Sequence, residues 1–273
     1  MAVNVLKPLS VPLFVPGHRV ELLLKAAASG ADAVIMDLED AVSPADKPAA
    51  RNAVLERPEI LVPLVVRVNA FDSEWFATDL DCLAKNRPSM VMLPKAESAS
   101  HIELIRQVLG NEIPVLPIVE SAAGLAALAE ILRHPSVGQA AFGHLDFALD
   151  IGAEPDWECL HYARGKMVVE TRLAGKAAPL DGVTVRFDDT EIVTLESSCA
   201  KAMGFGGKLL IHPKQIEPAK AVFQPSAKDY EWAQRVMVAV ADNASAVQLD
   251  GAMVDVPVIK RAEGIIRTFE ALR

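Results

Sequence analysis

The chain has 273 residues, 51% of them apolar, enough for one large domain with a substantial core. A formal net charge of −9 and an aromatic content of 5% argue against a nucleic-acid partner and against base-stacking platforms. Cys82, Cys159 and Cys199 stand far apart with no C-x-x-C pair, no apolar run approaches the ~18 residues of a membrane span, and residues 1–16 do not read as a leader; a reducing cytoplasm is the expected setting.

Short β-branched runs alternate with longer stretches of helical spacing along most of the chain. "VPLFVP" (11–16) reads as a strand, followed by a helix near 18–29. "ADAVIMDL" (31–38) is the second strand, and a helix near 47–57 follows. The pattern continues with "LVPLVVRVN" (61–69) and a helix at 74–86, then "MVMLPK" (90–95) and a helix at 98–109. "IPVLPIVE" (113–120) precedes a helix at 122–133 that Pro135 stops. "GQAAFG" (138–143) leads to a helix at 156–174, the weak "PLDGVT" (179–184) to one at 190–203, and "GKLLIHP" (207–213) to one at 214–223.

Eight strand–helix units predict a (β/α)8 TIM barrel over residues 1–225. The strands are nearly continuous apolar runs, as required when both faces are buried. A doubly wound open sheet is the structural rival, and the lack of a G-x-G-x-x-G after the first strand weighs against its dinucleotide-binding version. From 226 the repeat stops. Ser226 caps a long amphipathic helix, "VQLDGAMVDVPV" reads as a hairpin around Asp250-Gly251, and a closing helix follows. This C-terminal helix–hairpin–helix extension (226–273) either covers the barrel or reaches a neighbouring subunit.

Catalytic groups of such barrels gather at the C-terminal ends of the strands. Here those ends carry His18 and Arg19, then Asp37, Glu39 and Asp40, then Arg67 and Asn69. Lys95, Glu120, His144 with Asp146, and His212 follow on later strands. Buried charges are costly unless they pair with one another, a metal or a substrate. Glu120 and Asp146 end neighbouring strands, and two carboxylates without thiolates or paired imidazoles favour an oxygen-ligated ion, Mg2+ or Mn2+; the alternative is two exposed loop acids. His144 is held as a pocket-lining residue. Arg67 reads either as a bidentate clamp on a substrate carboxylate or as an ion pair with Asp37 or Glu39. Lys95 reads either as a Schiff-base amine or as an ammonium answering the acids, and the acids favour the ammonium. His212 is open between a structural and a ligand-binding role.

At these residues the chain resembles the citrate lyase beta-subunit-like family, which includes malyl-CoA and citramalyl-CoA lyases among the metal-dependent oxo-acid aldolases. The matching stretches are "LFVPGHR", "ASGADAVIMDLEDAV" with "KPAARNAV", "VRVN", "LPKAES", "PIVESAAGL", "FGHLDFALDIGA", "AMGFGGKLLIHPKQIEPAKAVFQPS" and "DGAMVDVPVIKRAE". They run in the family's order over nearly the whole chain. The resemblance implies Mg2+ on Glu120 and Asp146, a small oxo acid on Arg67, and Glu39 and Asp40 near the water shell of the metal. It further implies that Asp255 transfers a proton in an adjacent subunit's site, and that Arg19 and Lys25 meet coenzyme A phosphates. The sequence departs from the family at Leu145, where an acid often precedes the second metal ligand, and at Ser10 and Val11, where an "R-S" pair is common.

The implied activity is a Mg2+-dependent carbon–carbon lyase on a 3-hydroxy-3-carboxy acyl-CoA such as malyl- or citramalyl-CoA, with Asp37 or Glu39 orienting metal-bound water. The expected partners are a small-molecule oxo acid and acyl-CoA, with neither nucleic acid nor membrane, in a homotrimer or homohexamer. The rivals are an aldolase on free hydroxy-oxo acids, a lyase whose citryl group rides on an acyl carrier, and a non-catalytic scaffold subunit.

Overall fold

The computed structural model describes residues 7–241 and 247–271. Two compact units divide it, one up to Ala219 and one from Lys220 on. The first contains eight short parallel strands: β1 (Leu13–Pro16), β2 (Val34–Asp37), β3 (Leu64–Arg67), β4 (Met90–Leu93), β5 (Val115–Val119), β6 (Ala141–Phe142), β7 (Leu180–Asp181) and β8 (Gly207–Lys208). Each pairs with the next in chain order. The sheet curls so far that the far edge meets the near one: Lys208 N donates to Ser10 O at 2.8 Å, Leu210 N to Pro12 O at 3.0 Å, and Phe14 N to Leu210 O at 2.8 Å.

Strand parity decides what faces the interior. Ala33 and Ile35 of the β2 segment, Val65 of β3, and Leu116 and Ile118 of β5 belong to one buried apolar cluster. Successive side chains alternate between the faces of a strand, so Asp37, Arg67 and Glu120, each two residues further on, cap that column. In β7 and β8 the interior residues are Leu180 and Leu209. Asp181 and Lys208 therefore take the opposite face.

The helices of this unit are α1 (Val20–Ala27), α2 (Lys47–Glu56), α3 (Phe76–Lys85), α4 (Ala99–Leu109), α5 (Ala122–Arg133), α6 (His144–Ile151), α7 (His161–Leu173) and α8 (Thr190–Met203), and α9 (Ile216–Phe223) spans the boundary at 219. Ser98, Ser121 and Asp189 cap α4, α5 and α8 with side-chain oxygens that accept from backbone N–H groups. One expectation is corrected. Helix α6 begins directly after β6, so His144 and Asp146 lie on its first turn, not on a strand end, and the helix expected from 156 starts at His161. Eight residues between Gly143 and the left-handed Gly152 are too few for a clear helical period, which hid α6 from a reading by periodicity.

The second unit contains α10 (Ala227–Ala241), β9 (Val247–Leu249), β10 (Ala252–Val254) and α11 (Val256–Ala271). Helices α10 and α11 bury Ala233, Val236 and Ala262 between them with Val254, flanked by Trp232, Val240 and Ile265. Asp250 and Gly251 turn the antiparallel hairpin at φ 51° and 80°, where a residue of positive φ is required twice. Arg235 holds Asp250 with two contacts, at 2.5 and 3.1 Å. No helix among the described residues is long and apolar enough to cross a membrane.

Candidate active site

The register of the sheet sets Asp37 directly opposite Arg67. The two meet as fork and carboxylate, with Nε to Oδ1 and Nη2 to Oδ2 both at 2.7 Å. Asp37 also accepts from Glu39 N and Ala41 N, each at 2.9 Å, so its acceptor sites are filled by four donors. Arg67 Nη1 lies 3.0 Å from Glu39 Oε2 and 3.1 Å from Asp40 Oδ2, and Phe14 stacks beneath the guanidinium at 4.9 Å. Burial opposes the charge of Arg67, but Asp37, then Glu39 and Asp40, hold it above its usual value and fully protonated. These contacts match the ion-pair reading of Arg67: Nε and Nη2 meet Asp37, and Nη1 meets Glu39 and Asp40.

Glu39 is buried, and its Oε2 has charge contact with Arg67 without hydrogen-bond alignment. Burial pushes its carboxyl up to about 7, with Asp40 and Asp37 adding and Arg67 and Lys95 opposing. Lys95 Nζ approaches Glu39 Oε1 at 3.6 Å. Burial lowers the affinity of this amine for its proton, yet Glu39, Glu120, Asp40 and Asp146 together raise it above the ordinary lysine value. Lys95 thus answers the cavity acids electrostatically. Its backbone has φ 47°, and in that conformation its N–H donates to Glu120 Oε1 at 2.8 Å.

Glu120 is buried at the end of β5, and burial, followed by the field of Glu39, pushes its carboxyl up to about 8; Asp146 adds to this, while the Lys95 amide and Arg67 oppose it. A Cβ at Gly143 would lie 2.3 Å from Glu120 Oε2, so glycine there leaves room for the carboxylate. Glu120, Asp146, Arg67 and Asp40 share a cavity of about 340 Å³ with Phe14 and Leu145. Among the described residues no group of three or more His, Cys, Asp or Glu side chains is placed to cage a metal. The pair Glu120/Asp146 suits an ion that takes one or two protein carboxylates and completes its shell with water and substrate oxygens.

His144 lines the same cavity, and burial pushes its imidazole down to about 4. His212 is structural: its Nδ1 accepts from Lys214 N at 3.1 Å and its ring packs on Phe187. Arg19 is the N-cap residue of α1, where its Nε bonds Glu21, and Lys25 is exposed on the last turn of that helix. Neither lines the cavity. Asp255 lies in the second unit, exposed, and accepts from Val258 N at 3.1 Å as the cap of α11.

Sequence reasoning missed two buried networks. Lys47, Asn69, Asp79 and Arg51 form one below the Glu39 loop. In the other, Arg164 Nε and Lys208 Nζ contact Asp181 at 3.0 and 3.2 Å. Lys47, Asp79 and Arg164 sit in helical stretches where charged residues read as solvent-facing, and only Lys208, inside an apolar strand pattern, gave any signal.

The HpcH/HpaI aldolase/citrate lyase family model matches residues 10–213. A citrate lyase subunit beta-like protein of Mycobacterium tuberculosis is 37% identical over 264 residues, covering 93% of each chain. A (3S)-malyl-CoA thioesterase of Cereibacter sphaeroides is 35% identical over 239 residues, covering 85% of this chain and 83% of that protein. The crystal structure of CitE from Mycobacterium tuberculosis in complex with magnesium, acetoacetate and coenzyme A superposes with a TM-score of 0.87 at 34% identity, covering 97% of this chain and all of that one. On this match, which spans the strands, the acid loop and both cavity carboxylates, the chain belongs to the HpcH/HpaI aldolase/citrate lyase family.

Proposed function

We propose that the protein is a Mg2+-dependent carbon–carbon lyase that cleaves or forms a 3-hydroxy-3-carboxy acyl-CoA such as malyl- or citramalyl-CoA. The observation that carries this reading is the juxtaposition of Glu120 and Asp146 with Arg67 in one cavity at the ends of the strands. We take the curled sheet as a closed (β/α)8 barrel, supported by the bonds from 208–210 to 10–14.

Arg67 Nη1 binds the carboxylate of the oxo-acid portion, while Asp37 fixes the other two nitrogens and thereby the plane of the guanidinium. Glu120 and Asp146 hold Mg2+, which supplies Lewis-acid polarisation of the oxo oxygen and offsets the charge that develops there. On cleavage the hydroxyl loses its proton, the bond between carbons 2 and 3 breaks, and its electron pair passes to carbon 2, the α-carbon of the acyl-CoA, as an enolate. Glu39, whose carboxyl titrates at about 7, and Asp40 lie where they can hold or orient a proton near that hydroxyl. Asp255 returns a proton to that α-carbon from another copy of the chain in a homotrimer or homohexamer. Arg19 and Lys25, exposed cations on α1, take the phosphates of coenzyme A.

Incubation with malyl- and citramalyl-CoA, in Mg2+ and in EDTA, tests the reading. Metal-dependent release of glyoxylate or pyruvate with acetyl-CoA is expected. Release of free coenzyme A with the hydroxy acid intact would make the protein a thioesterase, the activity named for the Cereibacter sphaeroides relative. Cleavage of free hydroxy-oxo acids alone would make it a coenzyme A-independent aldolase.

A further inference from the structure

Behind the acid loop lies a lysine that the reaction described above does not use. Lys47 opens α2 and is buried. Its three ammonium protons meet three oxygens: Leu38 O at 2.6 Å, Glu39 O at 2.8 Å and Asn69 Oδ1 at 2.6 Å. Asn69 is in turn held by fully buried Asp79, which accepts from Asn69 N at 2.9 Å and Nδ2 at 2.7 Å, and Arg51 closes the chain onto Asp79 at 3.0 Å. Trp75 covers the ammonium at 5.0 Å.

The segment 38–41 is thus gripped from both sides. Its amides point at Asp37, which accepts from Glu39 N and Ala41 N, while Leu38 N donates to Arg67 O at 2.9 Å. Its carbonyls at 38 and 39 point away, onto Lys47. The peptide units so held are those that carry Glu39 and Asp40, the two acids against Arg67 Nη1. Burying an ammonium is unfavourable unless every proton is bonded. Here two of the three bonds go to the 38–41 loop and the third goes to Asn69, whose own partners are fixed by Asp79.

We propose that Lys47 is a positioning residue for the oxo-acid subsite. Resting on the reading of Arg67 as the carboxylate-binding group, it fixes the backbone of residues 38–41 and with it the placement of Glu39 and Asp40 against Arg67 Nη1, the nitrogen that the substrate carboxylate must share with them. A planar guanidinium cannot place one nitrogen among the same three oxygens, so arginine does not replace it.

The test uses full-length Lys47→Met and Lys47→Arg, with amide exchange over residues 37–43 and pyruvate binding in Mg2+ by calorimetry. Both variants are expected to unfold cooperatively while exchanging the 38–42 amides at least about tenfold faster and binding pyruvate about tenfold more weakly. In a Glu39→Gln/Asp40→Asn background Lys47→Met should weaken pyruvate binding less than about threefold, because the acids it positions are already neutral. Unchanged exchange at 38–42, or full additivity of the pyruvate effects, would overturn the proposal. If Lys47→Met does not fold, Lys47→Gln, which keeps one amide donor, decides by the same exchange measurement. Wild-type protein that binds no pyruvate would sink the reading of Arg67 and the proposed function, while exchange at 38–42 still judges the grip of Lys47 on the loop.

Discussion

Arg67 and Asp37 sit opposite each other on adjacent strands and join through two parallel hydrogen bonds of 2.7 Å. This pair takes two of the three guanidinium nitrogens, and the third, Nη1, meets Glu39 and Asp40. Asp37→Asn leaves a buried guanidinium half-paired and should cost about 3–5 kcal/mol of stability, read by denaturant unfolding. Arg67→Lys supplies one point charge where a rigid fork is needed. It should lower kcat/KM by roughly 10²-fold or more, mainly through KM for the oxo acid.

Gly143 and Glu120 give a test of the metal site that leaves the ligands in place. An added Cβ would stand 2.3 Å from Glu120 Oε2. Gly143→Ala should therefore weaken Mg2+ binding in calorimetry by about tenfold or more, as removal of a supporting contact does elsewhere. Glu120→Gln and Asp146→Asn should weaken it further. Mg2+ affinity that survives in both of these variants would move the metal elsewhere.

The acid pair also sets a pH dependence. In the metal-free protein burial raises the Glu120 carboxyl from 4.5 to about 8, so the folded chain holds a proton there that the unfolded chain has lost. Stability of the metal-free protein should then fall as pH rises from 4.5 towards 8. Metal binding displaces that proton, so apparent Mg2+ affinity should climb by roughly tenfold per pH unit below 8 and level off above it. Thermal melts in EDTA and in Mg2+ from pH 5.5 to 9 should cross in opposite directions.

If Asp255 acts in another copy's site, two inactive variants should repair each other. Asp255→Asn is expected to bind pyruvate normally but to lose roughly 10²-fold or more in kcat. Mixed oligomers of Asp255→Asn and Arg67→Lys should regain part of the wild-type rate, because some sites then receive both intact residues. No recovery in co-expressed mixtures would confine each site to one chain.

Much of the fold was legible because parallel strands buried on both faces must read as short apolar runs. "VIMD", "LVVR" and "VLPIV" could hardly be placed otherwise. The same runs announced the site, since a charge at the end of such a strand, as at Asp37, Arg67 or Glu120, needs a partner. Asp146 was found as a residue but placed on the wrong element, because α6 is too short for its period to show.

By itself, then, the sequence determined the strand–helix alternation, the acids and arginine that follow the strands, and the family. Each of these follows from local pattern: alternation along a strand, helical spacing, or motif order. The division of labour among those groups was decided only by tertiary structure. Asp37 is set against Arg67 by the register of β2 against β3. Lys95 meets Glu39, Asp40, Glu120 and Asp146 only in the fold, and their field raises its affinity for a proton. Lys47 opens a helix, and only the fold brings Leu38, Glu39 and Asn69 around its ammonium. Hydrogen-bond capacity and burial depend on neighbours distant in the chain, and no local pattern contains them.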